Sequence, residues 1–131
     1  DEATRVLSQL KRVIRTNYSN PPTHGGTVVS TVLNTPELFA LWEEELAGMR
    51  DRIRLMRKQL VEKIKEHGAK QDFSFVLNQR GMFSYSGLSA AQVDRLREEH
   101  GVYAVSSGRI CVAALNSGNI DKVAAGIAAV L

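Results

Sequence analysis

The stretch Thr35-Pro36-Glu37-Leu38-Phe39-Ala40-Leu41-Trp42 opens a helical pattern that nothing halts before His67-Gly68. Threonine is a capping residue, proline is tolerated at the first helical position because the N–H there lacks an acceptor anyway, and Glu37 answers the positive helix start. From there Leu38, Trp42, Leu46, Met49, Ile53, Met56, Leu60 and Ile64 recur at steps of four or three. They draw one apolar stripe along a helix spanning 36–67, about 32 residues and roughly 48 Å long. That exceeds the width of one small domain, and the stripe does not keep the strict heptads of a coiled coil. The helix is expected to bridge two domains.

On its N-terminal side, Val6, Leu7, Leu10, Val13 and Ile14 fall at helical spacing within Thr4–Thr16. That amphipathic helix must stop near Tyr18-Ser19-Asn20-Pro21-Pro22, because each proline removes a donor and restricts the residue before it. Thr27–Leu33 is rich in β-branched residues but is read as a short helix. On the C-terminal side, Phe73–Leu77 and Met82–Tyr85 alternate about the turn Asn78-Gln79-Arg80-Gly81, which predicts a hairpin. Ser89-Ala90-Ala91-Gln92 is a capping box starting a helix that Gly101 closes. Val102–Val105 and Arg109–Ala113 are expected as two further strands about Ser106-Ser107-Gly108, and a last helix is expected to start near Asn116. The order strand, strand, helix, strand, strand, helix after the long helix makes this an α+β segment.

With 131 residues, 44% of them hydrophobic and 24% charged, the composition excludes disorder and collagen. No apolar run approaches the roughly 20 residues a membrane span needs, and Asp1-Glu2-Ala3-Thr4 is no signal peptide. The expectation is a chain without a membrane partner. The single Cys111, inside Ile110-Cys111-Val112-Ala113-Ala114, reads as a small buried hydrophobe in a reducing compartment, the cytoplasm. The start at Asp1, without methionine, suggests part of something longer.

Metal chemistry is not expected, since His24, His67 and His100 lie far apart and the only cysteine is in a strand. His67 and His100 sit at helix ends, where an imidazolium suits the dipole. No Gly-x-Ser-x-Gly occurs, and Ser106-Ser107-Gly108 is a turn. The basic residues of Arg50, Arg52, Arg54, Arg57 and Lys58 read as a solvated helix face, and without interleaved aromatics no nucleic-acid partner is expected. Two arginines stand apart. Arg109 opens an apolar strand after a small-residue turn, a place where a guanidinium has little freedom and needs a carboxylate, either an acid of its own domain or a ligand's. Arg15 ends the first helix, where the dipole alone accounts for a cation.

Taken together, Arg15-Thr16-Asn17-Tyr18-Ser19-Asn20-Pro21-Pro22, His24-Gly25, Gly81-Met82-Phe83-Ser84-Tyr85-Ser86-Gly87-Leu88 and Ser106-Ser107-Gly108-Arg109 resemble the C-terminal third of the bacterial aspartate and aromatic-amino-acid aminotransferases. Leu77–Tyr85 and Leu88–Glu99 look closest to the aromatic branch, while Asn20 looks more like the aspartate branch.

The resemblance implies a homodimeric pyridoxal 5'-phosphate enzyme of fold type I, an α/β parent, acting on amino acids and 2-oxo acids. Residues 1–48 would end the large cofactor-binding domain and 49–131 would form the C-terminal part of the small domain. It implies that Arg109 binds the substrate α-carboxylate, that Arg15 reaches into the neighbouring subunit's site to meet a distal carboxylate, that Phe83 lies close to the substrate, and that Tyr18 and Ser19 line the pocket from the partner subunit. The Schiff-base lysine and the aspartate on the cofactor's ring nitrogen would precede Asp1. No catalytic and no cofactor-binding residue is then expected in this segment, which alone should not transaminate. A rival reading takes the 131 residues as a self-contained α+β binding module whose basic helix face meets an anionic partner.

Overall fold

The computed structural model describes residues 1–19 and 21–131, so Asn20 lies outside the described residues. They divide into two units, Asp1–Leu46 and Ala47–Leu131. In the first unit, α1 spans Glu2–Thr16 and begins at Asp1, whose carboxylate accepts the Thr4 N–H. Its stripe of Val6, Leu7, Leu10, Val13 and Ile14 stays 51% to 61% exposed. Helix α2 spans Thr23–Asn34. Its β-branched threonines are accommodated by turning inward on the helix itself: the Thr27 and Thr31 hydroxyls donate to the carbonyls of Thr23 and Thr27, both at 2.9 Å. Helix α3 spans Pro36–Glu66, 31 residues.

The second unit owns the core. Met56, Leu60 and Ile64 of α3 are buried with Phe73, Val76, Leu88, Val112 and Leu115. Helix α4, Ala90–His100, carries the full capping box, with the Ser89 side chain accepting from Gln92 N–H and the Gln92 side chain accepting from Ser89 N–H. Gly101 closes it at φ 62, ψ 33, the left-handed cap expected of glycine. Helix α5, Ile120–Val130, buries Ile120, Ala124, Ile127 and Val130. One antiparallel sheet forms from β1, Phe83–Tyr85, and β2, Arg109–Cys111, pairing Phe83 with Cys111, Ser84 with Ile110 and Tyr85 with Arg109.

The α+β class stands, but the expected hairpin is corrected. β1 pairs with β2 and not with Phe73–Leu77, because Ser74–Asn78 is a 3₁₀ turn. Asp72 starts it by accepting the Ser74 N–H at 2.8 Å and hydroxyl at 2.6 Å, after which Phe73 and Val76, three apart, both enter the core. Val102–Val105 is not a strand either. Its backbone closes neighbouring turns instead: Val102 N–H donates to Leu96 O, and Gly108 N–H donates to Val105 O at 2.8 Å. β2 ends at Cys111, which is half-buried, and Val112–Ala114 tightens into a second 3₁₀ turn. The last helix starts at Ile120, four residues beyond the expected Asn116. The Asn116 and Asn119 side chains accept from the N–H groups of Gly118 and Asn116, forming a turn that competes with helix.

Candidate functional site

Arg109 is the first residue of β2, and the turn before it is tightly fixed. Gly108 has φ +82, and a Cβ there would stand 2.8 Å from the Leu88 carbonyl oxygen, so only glycine fits. Ser86 donates twice to the Gly108 carbonyl, from its hydroxyl at 2.7 Å and its N–H at 2.9 Å. With the backbone held, the cross-strand geometry sets the side chain. Phe83 lies opposite Cys111 and is therefore the diagonal neighbour of Arg109, within reach of a long side chain. The Arg109 guanidinium lies 5.1 Å from the Phe83 ring centroid, a stacking contact worth about 0.5–1 kcal/mol at an exposed position. Both residues are exposed. Among the described residues no Asp or Glu forms an ion pair with Arg109. A planar, permanently charged fork that stands on an aromatic face without an acid of its own can grip a planar carboxylate through two parallel hydrogen bonds.

The other predicted residues form a second cluster, in Asp1–Leu46. Arg15, in the last turn of α1, donates from Nη1 to the Ser19 hydroxyl at 3.0 Å, and that hydroxyl donates to the Arg15 carbonyl at 3.3 Å. Tyr18 and Ser19 adopt φ 59 and 57, consecutive left-handed residues that are not glycine. Each such residue costs about 1–2 kcal/mol, and such outliers concentrate where a ligand or partner is met. Tyr18 is 88% exposed. The structure thus brings Arg109 together with Phe83, and Arg15 together with Ser19 beside Tyr18, in different units.

The basic face of α3 is corrected. Arg57 is not solvated: it is 4% exposed and donates to the carbonyls of Val76, Gly81 and Phe83. Burial pulls its pKa down, and the nearby positive charge of Arg80 pulls the same way. Arg52 donates to the carbonyls of Leu115 at 2.9 Å and Ala113 at 3.0 Å. Arg54 pairs with Asp51 and Lys58 with Glu62. A signal for Arg57 was present in the sequence, since it stands on the apolar stripe between Ile53 and Leu60 at steps of four and three. Gln79 was also missed. Its side-chain amide accepts the Tyr85 N–H at 2.7 Å and donates to the Tyr85 carbonyl at 3.0 Å.

Pyridoxal phosphate would require a lysine enclosed beside it. Lys11, Lys58, Lys65, Lys70 and Lys122 are exposed, and Lys63 is held by Asp121 at 2.8 Å. Among the described residues, then, no lysine fits that role, and no cluster of His, Cys, Asp and Glu could hold a metal ion. No helix among them is long and apolar enough to cross a membrane.

The family described as "Aminotransferase class I and II" matches residues 2–127. The chain is 69% identical, over its whole length, to an aspartate aminotransferase of Pseudomonas aeruginosa and 54% identical to an aromatic-amino-acid aminotransferase of Escherichia coli, spanning 33% of each. It therefore spans about a third of the length of the curated relatives it matches. Among solved structures, it superimposes with a TM-score of 0.83 and 72% identity on 33% of an aromatic-amino-acid aminotransferase from Burkholderia pseudomallei covalently bound to pyridoxal phosphate. A mitochondrial aspartate aminotransferase from Trypanosoma brucei gives a TM-score of 0.82 at 44% identity over 98% of this chain and 34% of that one.

Proposed function

The chain belongs to the class I and II aminotransferases, and from that premise we propose that it is the substrate-recognising C-terminal segment of an enzyme moving an amino group between aromatic or acidic amino acids and 2-oxo acids. Arg109 on Phe83, a guanidinium with no internal acid among the described residues, carries this reading. Its role is to bind and orient the substrate α-carboxylate. Gly108 and Ser86 fix the backbone beneath it, and the Phe83 ring is the surface its exposed side chain rests on. Phe83 supports the cation from one side, leaving the other side of the fork for the anion.

Arg15, with Tyr18 and Ser19, is assigned to the distal end of the substrate in a neighbouring subunit of a homodimer. The presented loop, with its two left-handed residues, supports a role outside its own unit. Residues 1–48 then belong to the large domain and 49–131 to the small one. Pyridoxal 5'-phosphate, when bound, supplies the electron sink for the chemistry at the substrate Cα. No lysine among the described residues fits its Schiff base, and the part proposed for them is recognition of the substrate. The cytoplasm is the proposed location, by likeness to the bacterial relatives.

The rival binding module is disfavoured by the fate of its cations. Of its five cations, Arg52 and Arg57 spend donors on backbone carbonyls and Arg54 and Lys58 are ion-paired, so that among the described residues only Arg50 has neither kind of partner. The test is steady-state kinetics on the full-length enzyme. Arg109→Ala should cost about 3–5 kcal/mol in kcat/KM, on the order of a thousandfold, for acidic and aromatic substrates alike. Arg15→Ala should penalise aspartate far more than phenylalanine, since only aspartate carries a second carboxylate. Wild-type kinetics for Arg109→Ala would remove that residue from the site.

A further inference from the structure

We propose that Arg57 is a positioning residue for substrate-carboxylate binding: it fixes the free edge of β1 and, through the Phe83 ring, aims the Arg109 guanidinium. The proposal rests on the reading of Arg109 given above. It starts from what a two-stranded sheet leaves undone. The Ser86 N–H donates to the Gly108 carbonyl, so by antiparallel alternation Ser84 and Ile110 exchange the ladder bonds, while the polar groups of Phe83 and Tyr85 face the opposite edge. Gln79 satisfies both groups of Tyr85. The Phe83 carbonyl is met by Arg57 Nη2 at 3.1 Å, the same nitrogen that donates to Gly81 O, while Nη1 reaches Val76 O at 3.4 Å.

One buried guanidinium thus ties the 3₁₀ turn, the glycine turn and the strand carrying Phe83 to α3. Arg52 does the same for the chain leaving β2, through Ala113 and Leu115. For packing alone this is a poor choice. A methionine or leucine would fill the stripe of α3 without burying a charge that no carboxylate among the described residues neutralises. What the arginine adds is a fixed direction for three carbonyls. The Phe83 side chain is exposed and has the Arg109 guanidinium over its ring at 5.1 Å. Any shift of the strand edge therefore moves the surface on which the carboxylate-binding cation rests, and small misplacements of binding groups are expensive.

The experiment uses the full-length holoenzyme and 3-phenylpropionate, a monocarboxylate with no amino group to react, and measures its Kd by calorimetry. Arg57→Lys should raise Kd on the order of tenfold, the scale on which supporting-shell substitutions act. KM for amino acids should rise in parallel. In a Phe83→Leu background the same substitution should raise Kd less than about twofold, because the route through the ring is already gone. Arg57→Gln, which keeps an amide donor, should repeat the pattern. Equal factors in both backgrounds, or an unchanged Kd accompanied only by a lower melting temperature, would overturn the proposal. Arg109→Lys separates the two layers. If it leaves Kd unchanged, the carboxylate-anchor reading itself fails; if it raises Kd while the Arg57 variants do not, only the positioning role is lost.

Discussion

Asp1–Leu46 and Ala47–Leu131 are both patterned with apolar residues at helical spacing, yet only the second closes on itself. Helices α1 and α2 bury no residue, whereas α3 buries Met56, Leu60 and Ile64, all beyond the division between the units. The lesson is that a stripe announces a face to be covered without saying by what. Burial, and with it sensitivity to substitution, is a property of the partner as much as of the helix.

The contrast can be broken at several strengths. Leu60, fully buried, should lose about 2–5 kcal/mol of unfolding free energy when changed to Ala, measured by denaturant titration. A loss below about 1 kcal/mol would mean that the second unit's core is not the stabilising one. A smaller effect follows from charge. The hydrogen bond from Lys63, then that from His67, holds the Asp121 carboxyl below the usual carboxylate range. A depressed folded pKa stabilises above the unfolded value of about 4 and loses that contribution as pH falls through the folded one. Asp121→Asn should therefore destabilise the chain at neutral pH, and the difference from wild type should vanish in acid; a pH series of melting curves checks it. The smallest effect belongs to the first unit: Leu10→Ala, at a position 54% exposed, should change stability by less than about 0.5 kcal/mol. A Leu10 cost matching that of Leu60 would erase the contrast between the units.

Much of the fold was legible because its signals are local. The capping box at Ser89 and Gln92, the left-handed Gly101 and the proline start of α3 each act within a few residues and came out as expected. The failures share a cause in range. Phe73–Leu77 alternates convincingly, but five residues cannot distinguish a strand from a 3₁₀ turn when Asp72 captures the Ser74 N–H and the partner of β1 is supplied 24 to 28 residues later. Val102–Val105 has strand composition, but only the Val105 N–H reaches β2, donating to the Arg109 carbonyl at 3.1 Å, and one bond does not make a ladder. For the candidate site, Arg109 and Phe83 were marked by a turn and by resemblance, and the structure adds the stacking that joins them. The stripe of α3 marks Arg57 as buried, but not what it holds, because its acceptors, Val76, Gly81 and Phe83, are backbone carbonyls, which no residue identity advertises.

Gln79 has a consequence beyond the site. By engaging both polar groups of Tyr85 it occupies the outer margin of the ribbon as a third strand would, using one side chain. A bare margin of that kind is a template on which a second molecule can lay its own backbone, the first step toward fibrils. With Gln79 in place, neither polar group of Tyr85 is left for a foreign strand to pair with, and one amide does what an additional segment of chain would otherwise do.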